Sequence, residues 1–159
     1  VTGATDIDLT VEPPDSPDAL WCLDQYFAEL NRRFEAGFNP SLGSPPTMSD
    51  YAPPQGAFII ARRNGHPVGC GALSRLDVSA CEVKRVWISP DVRGIGVASR
   101  IMDWLEALAL KLGYRRVRLD TNEALSEARR LYLKRGYREI TAYNDNPYAH
   151  FWFEKELSQ

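Results

Sequence analysis

Little in this chain points to metal or redox chemistry. Only two histidines and three cysteines (Cys22, Cys70 and Cys81) occur in 159 residues. No two cysteines form a CxxC pair, so no metal site is expected. The odd, sparse thiols fit a reduced, cytoplasmic protein better than a disulfide scaffold. A basic surplus is also lacking: 19 Lys and Arg stand against 21 Asp and Glu, a formal charge of −2. A general nucleic-acid binder needs the opposite balance. No apolar run approaches the roughly 20 residues of a membrane span. Val1–Thr10 has neither the basic nor the apolar region of a signal peptide. What remains is ordinary globular composition, 44% hydrophobic and 25% charged. The length suits one domain, 1–159, with a sizeable core.

The apolar pattern alternates between two periods. Residues 8–11 read as a short strand, ended by Pro13 and Pro14. Asp15 or Ser16 can cap the helix that follows, with Pro17 in its first turn. Leu20, Leu23, Phe27, Leu30 and Phe34 mark its expected apolar face. Residues 37–55 form a long Pro- and Gly-rich loop, a segment type that is usually functional. Strands are expected over 57–61, 68–76 and 81–88, the first two joined at Asn64-Gly65. Gly69 and Gly71 predict a bulge or a close backbone approach, and Cys70 and Cys81 are candidate cross-strand neighbours.

After Pro90 the helical period returns. Val97, Ile101, Trp104, Leu105, Leu108 and Leu112 share one face, ended by Gly113. A strand over 116–120, a helix over 124–134 and two strands over 137–142 and 149–155 complete the chain. The order β-α-β-β-β-α-β-α-β-β predicts an α/β fold with one strand–helix–strand crossover.

The segment Arg93-Gly94-Ile95-Gly96-Val97-Ala98 opens the second helix. The first amides of a helix have no internal partner, and the macrodipole adds positive charge there. Gly94 and Gly96 permit close backbone approach, and Arg93 adds a full charge, so the loop suits a pyrophosphate. A Walker A loop would need Gly-Lys-Ser/Thr, which is missing. Gly94, Gly96 and Ser99 stand at Rossmann fingerprint positions, with Asp120 as a ribose-binding acid. However, five residues separate them from the preceding strand. A tight turn opening a helix is the bland alternative.

The surroundings are more specific. The run from Glu82 to Ala98 resembles motif A of the GNAT family of N-acetyltransferases, with Arg93, Gly96 and Ala98 at its core positions. Ala128-Arg-Arg-Leu-Tyr-Leu-Lys-Arg-Gly-Tyr137 resembles that family's motif B. Motif A spans about 81–112 and motif B about 116–137. The resemblance implies a mixed, mostly antiparallel sheet with a central splayed parallel strand pair, flanked by helices. It implies acetyl-CoA as cosubstrate, no metal, and a small amine or amino acid as acceptor, with no nucleic-acid or membrane partner. Many members dimerise, and the last strand is a candidate swap element.

Residue roles follow from the same resemblance. Val86 and Ile88 would pair with pantetheine through their backbone. The amides of Gly94, Ile95, Gly96, Val97, Ala98 and Ser99 would bind the pyrophosphate. Glu82 is the candidate base, direct or through water, or else a strand carboxylate paired with Lys84 or Arg85. Tyr132 is the candidate acid, or else a core aromatic. Lys84 is either a contact for an acceptor carboxylate or a structural ion-pair partner. Many members carry Asn where this chain has Leu125. Asn122 is the substitute contact to pantetheine or acceptor, or a helix-start residue. Residues 37–55 and the turn 143–148 are expected to line the acceptor site, with Asp145 able to attract a cation. A peptide or protein N-acetyltransferase, a transferase for longer acyl groups, a non-catalytic CoA sensor and a dinucleotide oxidoreductase are the competing readings.

Overall fold

The computed structural model describes residues 6–42 and 48–158. Residues 1–5 and the segment 43–47 of the expected 37–55 loop lie outside the described residues. Strands β1 (Ile7–Glu12), β2 (Ala57–Arg63), β3 (His66–Arg75), β4 (Ala80–Ile88), β5 (Arg116–Thr121), β6 (Arg138–Ile140) and β7 (Phe151–Glu156) alternate with three α-helices. These are α1 (Pro17–Arg33), α2 (Val97–Lys111) and α3 (Ser126–Lys134). The strands form one sheet in the order β1-β2-β3-β4-β5-β7-β6. Among the described residues, only β4 and β5 run parallel. That pairing fits the crossover through α2 and is unlike a doubly wound dinucleotide fold.

Local chemistry explains the element ends. Ser16 caps α1 by accepting the amide of Ala19 at 3.1 Å, and Pro17 occupies the first turn, a cap worth about 1 kcal/mol. Asn64 and Gly65 both take positive φ, as a type I′-like hairpin turn requires. The buried stripe of α1 is rotated from expectation. Ala19, Cys22, Leu23 and Leu30 are buried, whereas Leu20 is 44% exposed. On α2, Val97, Ile101, Met102, Leu105 and Ala109 are buried, and Trp104 is 41% exposed. In both helices the small residues face the sheet and let the helix approach. The sixth strand is shorter than expected, covering only 138–140.

Two cores flank the sheet. One packs α2 against Ile59, Leu73, Val83, Val117 and Leu119. The other seats α1 on Phe58, Ile60, Cys70, Ala72 and Trp87. Gly69 and Gly71 serve the close approach of α2. A Cβ on Gly71 would lie 2.8 Å from Ile101 Cγ2 and 2.9 Å from Leu105 Cδ1. The expected cysteine neighbours do not meet. Cys70 stands opposite Trp87 and Cys81 opposite Arg75, because the turn closed by the Leu76 and Asp77 amides on the Ala80 carbonyl sets the β3–β4 register.

The feature that positions the site is a divergence of strands. β4 and β5 pair only at Ala80↔Arg116, Cys81↔Val117 and Glu82↔Arg118. Beyond Glu82, β4 pairs with β3 alone. Opposite Cys70–Ala72, β4 carries one extra residue, and Arg85 adopts φ 60°. A bulge of this kind bends the strand and re-aims its side chains.

Candidate active site

The divergence opens two connected cavities. The first, of about 390 Å³, runs along Val86, Trp87 and Ile88 to the start of α2, where Arg93, Gly94, Gly96, Val97, Ala98 and Ser99 line it. The second, of about 100 Å³, lies deeper between β4 and β5 and is bordered by Lys84, Arg85, Asp120, Asn122, Asn146 and Tyr148. Tyr26, Leu30, Val86, Leu125, Ala128 and Tyr132 border both. The two spaces therefore meet at Val86 and Tyr132.

The loop before α2 has a geometry that suits an anion. Gly94 and Gly96 sit at φ 83° and 87°, in the left-handed region. Gly96 is the N-cap of α2 and offers no side-chain cap. The first intrahelical bond is donated by Arg100 to the Gly96 carbonyl at 3.1 Å. The preceding helix amides, of Val97, Ala98 and Ser99, have no intrahelical acceptor. Gly94 and Gly96 bring no side chain of their own to crowd an anion there. Ile95 is not among the lining residues, and its side chain packs on the core. The Arg93 guanidinium donates to the Ile88 carbonyl at 2.8 and 3.0 Å and pairs with Glu29. Arg33, between Glu29 and Glu127, extends this ion-pair chain from α1 to α3 across the mouth of the cavity.

At the inner end, Glu82 is 4% exposed. It accepts from the Tyr143 hydroxyl at 2.6 Å and the Asn144 amide at 3.4 Å, and Lys84 Nζ lies 3.8 Å away. Burial pushes its carboxyl above the ordinary carboxylate range, against the opposing pull of Lys84 and Tyr143. Glu82 does not itself border either cavity; Lys84, Tyr143 and Asn144 surround it. Asp120 is held by Asn144 at 2.8 Å, Asn146 at 3.2 Å and Lys84 at 3.5 Å. Trp152 Nε1 donates to Asn144 Oδ1 at 2.9 Å and fixes that amide.

Tyr132, 7% exposed, comes from α3, with its ring beside Tyr137 and Phe153 at 5.8 and 6.3 Å. Burial raises its phenol above the ordinary value of 10.0. It therefore faces the cavities as a protonated donor. Asn122 borders the inner cavity, not the outer one. Its amide donates to the Tyr148 carbonyl and accepts from Ala124, both at 2.8 Å, so it organises the turn before α3. Phe38, Asn146 and Tyr148 reach the inner cavity from the loops expected to line it. Asp145 is exposed and borders neither cavity; the carboxylate at the site is Asp120.

The sequence assigns neither Asp120 nor Tyr26 to this site, and it covers Tyr143 and Asn144 only through the turn expected to line it. The turn Tyr143-Asn-Asp-Asn-Pro-Tyr148 held the signal for part of it, since three amide or carboxyl side chains in one turn can bond one another. Their convergence on Glu82 and Asp120 depends on how β7 pairs with β5. Among the described residues, no group of three metal-ligating side chains comes together, and no helix is long and apolar enough to cross a membrane.

Comparison with known proteins fits this geometry. The sequence model of the acetyltransferase (GNAT) family matches residues 23–137. An N-acetyltransferase of Schizosaccharomyces pombe is 30% identical over 139 residues, covering 85% of this chain and 83% of the relative. The aminoalkylphosphonate N-acetyltransferase of Salmonella typhimurium is 29% identical, with 93% and 88% covered. A GNAT acetyltransferase of Elizabethkingia anophelis, solved with acetyl-CoA bound, shares the fold at a TM-score of 0.64 and 16% identity, covering 96% of this chain and 99% of that one. The chain belongs to the GNAT family of acetyltransferases. It is an N-acetyltransferase that uses acetyl-CoA for acyl transfer.

Proposed function

We propose that the protein acetylates the primary amine of a small molecule, with acetyl-CoA in the outer cavity and the acceptor in the inner one. The observation that carries this reading is the meeting of the two cavities at Val86 and Tyr132. A thioester reaching that junction faces the acceptor space. The modest inner volume favours a small amine over a folded protein surface.

The phosphate loop fits the cosubstrate's charge. Amides of Val97, Ala98 and Ser99 would take the pyrophosphate, and the open edge of β4 around Val86 would take pantetheine. The amine nitrogen attacks the thioester carbonyl carbon; a C–N bond forms and the C–S bond breaks. The oxyanion that develops is stabilised by a backbone N–H of the same β4 edge. The attacking amine must be neutral, and its surplus proton passes to Glu82. Because Glu82 lies behind Lys84 and Tyr143, that transfer runs through water. The departing thiolate takes its proton from Tyr132. A phenol held above its ordinary range donates a hydrogen bond at rest and yields the proton only as charge develops on sulfur.

A coupled assay of CoA release over a panel of amines, amino acids and peptides tests this reading. Turnover with small amines and none with peptides is the expected outcome. Efficient turnover of peptides alone would displace it.

A further inference from the structure

Arg85 stands apart from most arginines of this protein. Arg33, Arg62, Arg93, Arg116, Arg118, Arg129, Arg135 and Arg138 each lie within 4.0 Å of a carboxylate. Arg85 is half-buried and borders the inner cavity, yet among the described residues no carboxylate lies within ion-pair distance of it. Its guanidinium sits over the Phe27 ring, 4.9 Å from the centroid. The buried Tyr51 hydroxyl lies beside the guanidinium and feels both its charge and its hydrogen-bonding pull, but a neutral phenol does not balance the charge. Partly burying an unpaired cation is costly. The backbone adds to the cost, since Arg85 is a non-glycine residue at φ 60° in mid-strand.

The bulge explains the placement. Strand alternation would send Lys84 and Arg85 to opposite faces. Here Lys84 reaches Asp120 while Arg85 reaches Phe27 on α1, so both lie on the α1 side of the sheet. Lys84 is engaged by Glu82 and Asp120. Asp120 is in turn held by Asn144 and Asn146. The carboxylate that borders the cavity, Asp120, is therefore already engaged, and the Arg85 guanidinium has no carboxylate partner among the described residues.

We infer that Arg85 is a specificity-determining residue that binds an oxyanion of the acceptor. The acceptor class is then a short amine carrying a carboxylate or phosphonate. The size of the cavity supports a short molecule. Arg85 and Val86 both border the inner space, of about 100 Å³. An acceptor that presents its amine at Val86 and its anion to Arg85 within that space has only a few bonds between them. A planar guanidinium forks onto either anion with two parallel hydrogen bonds.

This inference rests on the amine-acetylation reading, and its test keeps the two separate. Three probes share one aminoethyl chain: β-alanine, 2-aminoethylphosphonate and the uncharged β-alaninamide. The wild type should use one or both anionic amines at least 10-fold better, by kcat/KM, than the amide. Arg85→Gln should lower kcat/KM for the anionic amines by roughly 10- to 100-fold, the range for hydrogen bonds to charged groups. The loss should appear mainly in KM, and β-alaninamide should change less than about twofold. Arg85→Lys should recover part of the phosphonate activity and less of the carboxylate activity, because a lysine lacks the fork. The two anionic arms show which oxyanion the site takes.

Calorimetric binding of N-acetyl-β-alanine and 2-aminoethylphosphonate to the protein–CoA complex reads Arg85 without turnover. Arg85-dependent binding with no acetylation of any amine would uphold the anion site and reject the amine-acetylation reading. A wild type that prefers the amide, or an Arg85→Gln variant that loses all three amines equally, would overturn the inference while leaving that reading intact.

Discussion

Replacing Gly96 by alanine perturbs two things that a second glycine separates. Gly96 caps the start of α2 at φ 87°, and Gly113 follows the end of the same helix at φ 98°. A Cβ at either position forces an L-residue into a left-handed backbone, at roughly 1–2 kcal/mol. A Cβ on Gly113 meets no atom within 4 Å, so backbone strain is its whole cost. In a domain of this size 1 kcal/mol lowers Tm by about 2–4 °C. Both variants should therefore lose roughly 2–8 °C. Their acetyl-CoA affinities should part. Gly113→Ala leaves the amides of Val97, Ala98 and Ser99 untouched and should bind as the wild type does. Gly96→Ala crowds them. Losing one or two hydrogen bonds to a charged group, at about 1.5–3 kcal/mol each, weakens binding by 10-fold or more. Gly96→Glu adds a carboxylate against the pyrophosphate and should abolish binding while circular dichroism stays native. Differential scanning fluorimetry and titration calorimetry read the two quantities. Undiminished affinity in Gly96→Glu, or an equal affinity loss in Gly113→Ala, would refute the phosphate-loop assignment.

Further tests address the inner site and the fold. Glu82→Gln should lower kcat by about 10²-fold or more. Burial raises the Glu82 carboxyl above its usual 4.5, and only the ionised form accepts a proton. The wild-type rate should thus fall as pH drops through that raised value. The variant's deficit should be greatest above that value and below the pKa of the acceptor amine; overlaid profiles of the two proteins would make Glu82 structural. Tyr132→Phe should keep stability and acetyl-CoA binding and lose about 10-fold in kcat. Because the phenol is raised above 10.0, no alkaline limb below that pH should belong to it; loss of stability without loss of turnover would mark Tyr132 as a packing residue. Acetyl-CoA at 100 times its Kd should raise Tm by roughly 5–11 °C, from about 2.7 kcal/mol of linkage, and NAD should not. Gly71→Ala should cost about 1–3 kcal/mol by overpacking against Ile101 and Leu105, measured by urea unfolding, while Gly65→Ala, in open space at φ 81°, should cost only its backbone strain.

The sequence by itself determined the order of elements, the glycine loop that opens α2 and the family. These are local properties. Glycines at Gly94 and Gly96 and the period change after Pro90 specify a glycine-led helix start within one short window. Motif B at residues 128–137 then specifies which fold carries that start. Apolar periodicity left the exact buried stripe open, because large residues such as Leu20 and Trp104 signal a face as strongly as the small residues that touch the sheet. Only the tertiary structure decided the inner site. Glu82, Asp120, Tyr143 and Asn144 are separated by up to 62 positions, and they meet because β5 lies between the diverging β4 and the antiparallel β7. The facing of Arg85 is likewise invisible in the sequence. Alternation would turn it away from Lys84, and one extra residue in β4, accommodated by a positive φ, brings it round. A bulge has no residue signature when the bulged position is an arginine, since the long-range pairing of β3 with β4, not local propensity, holds that backbone in place.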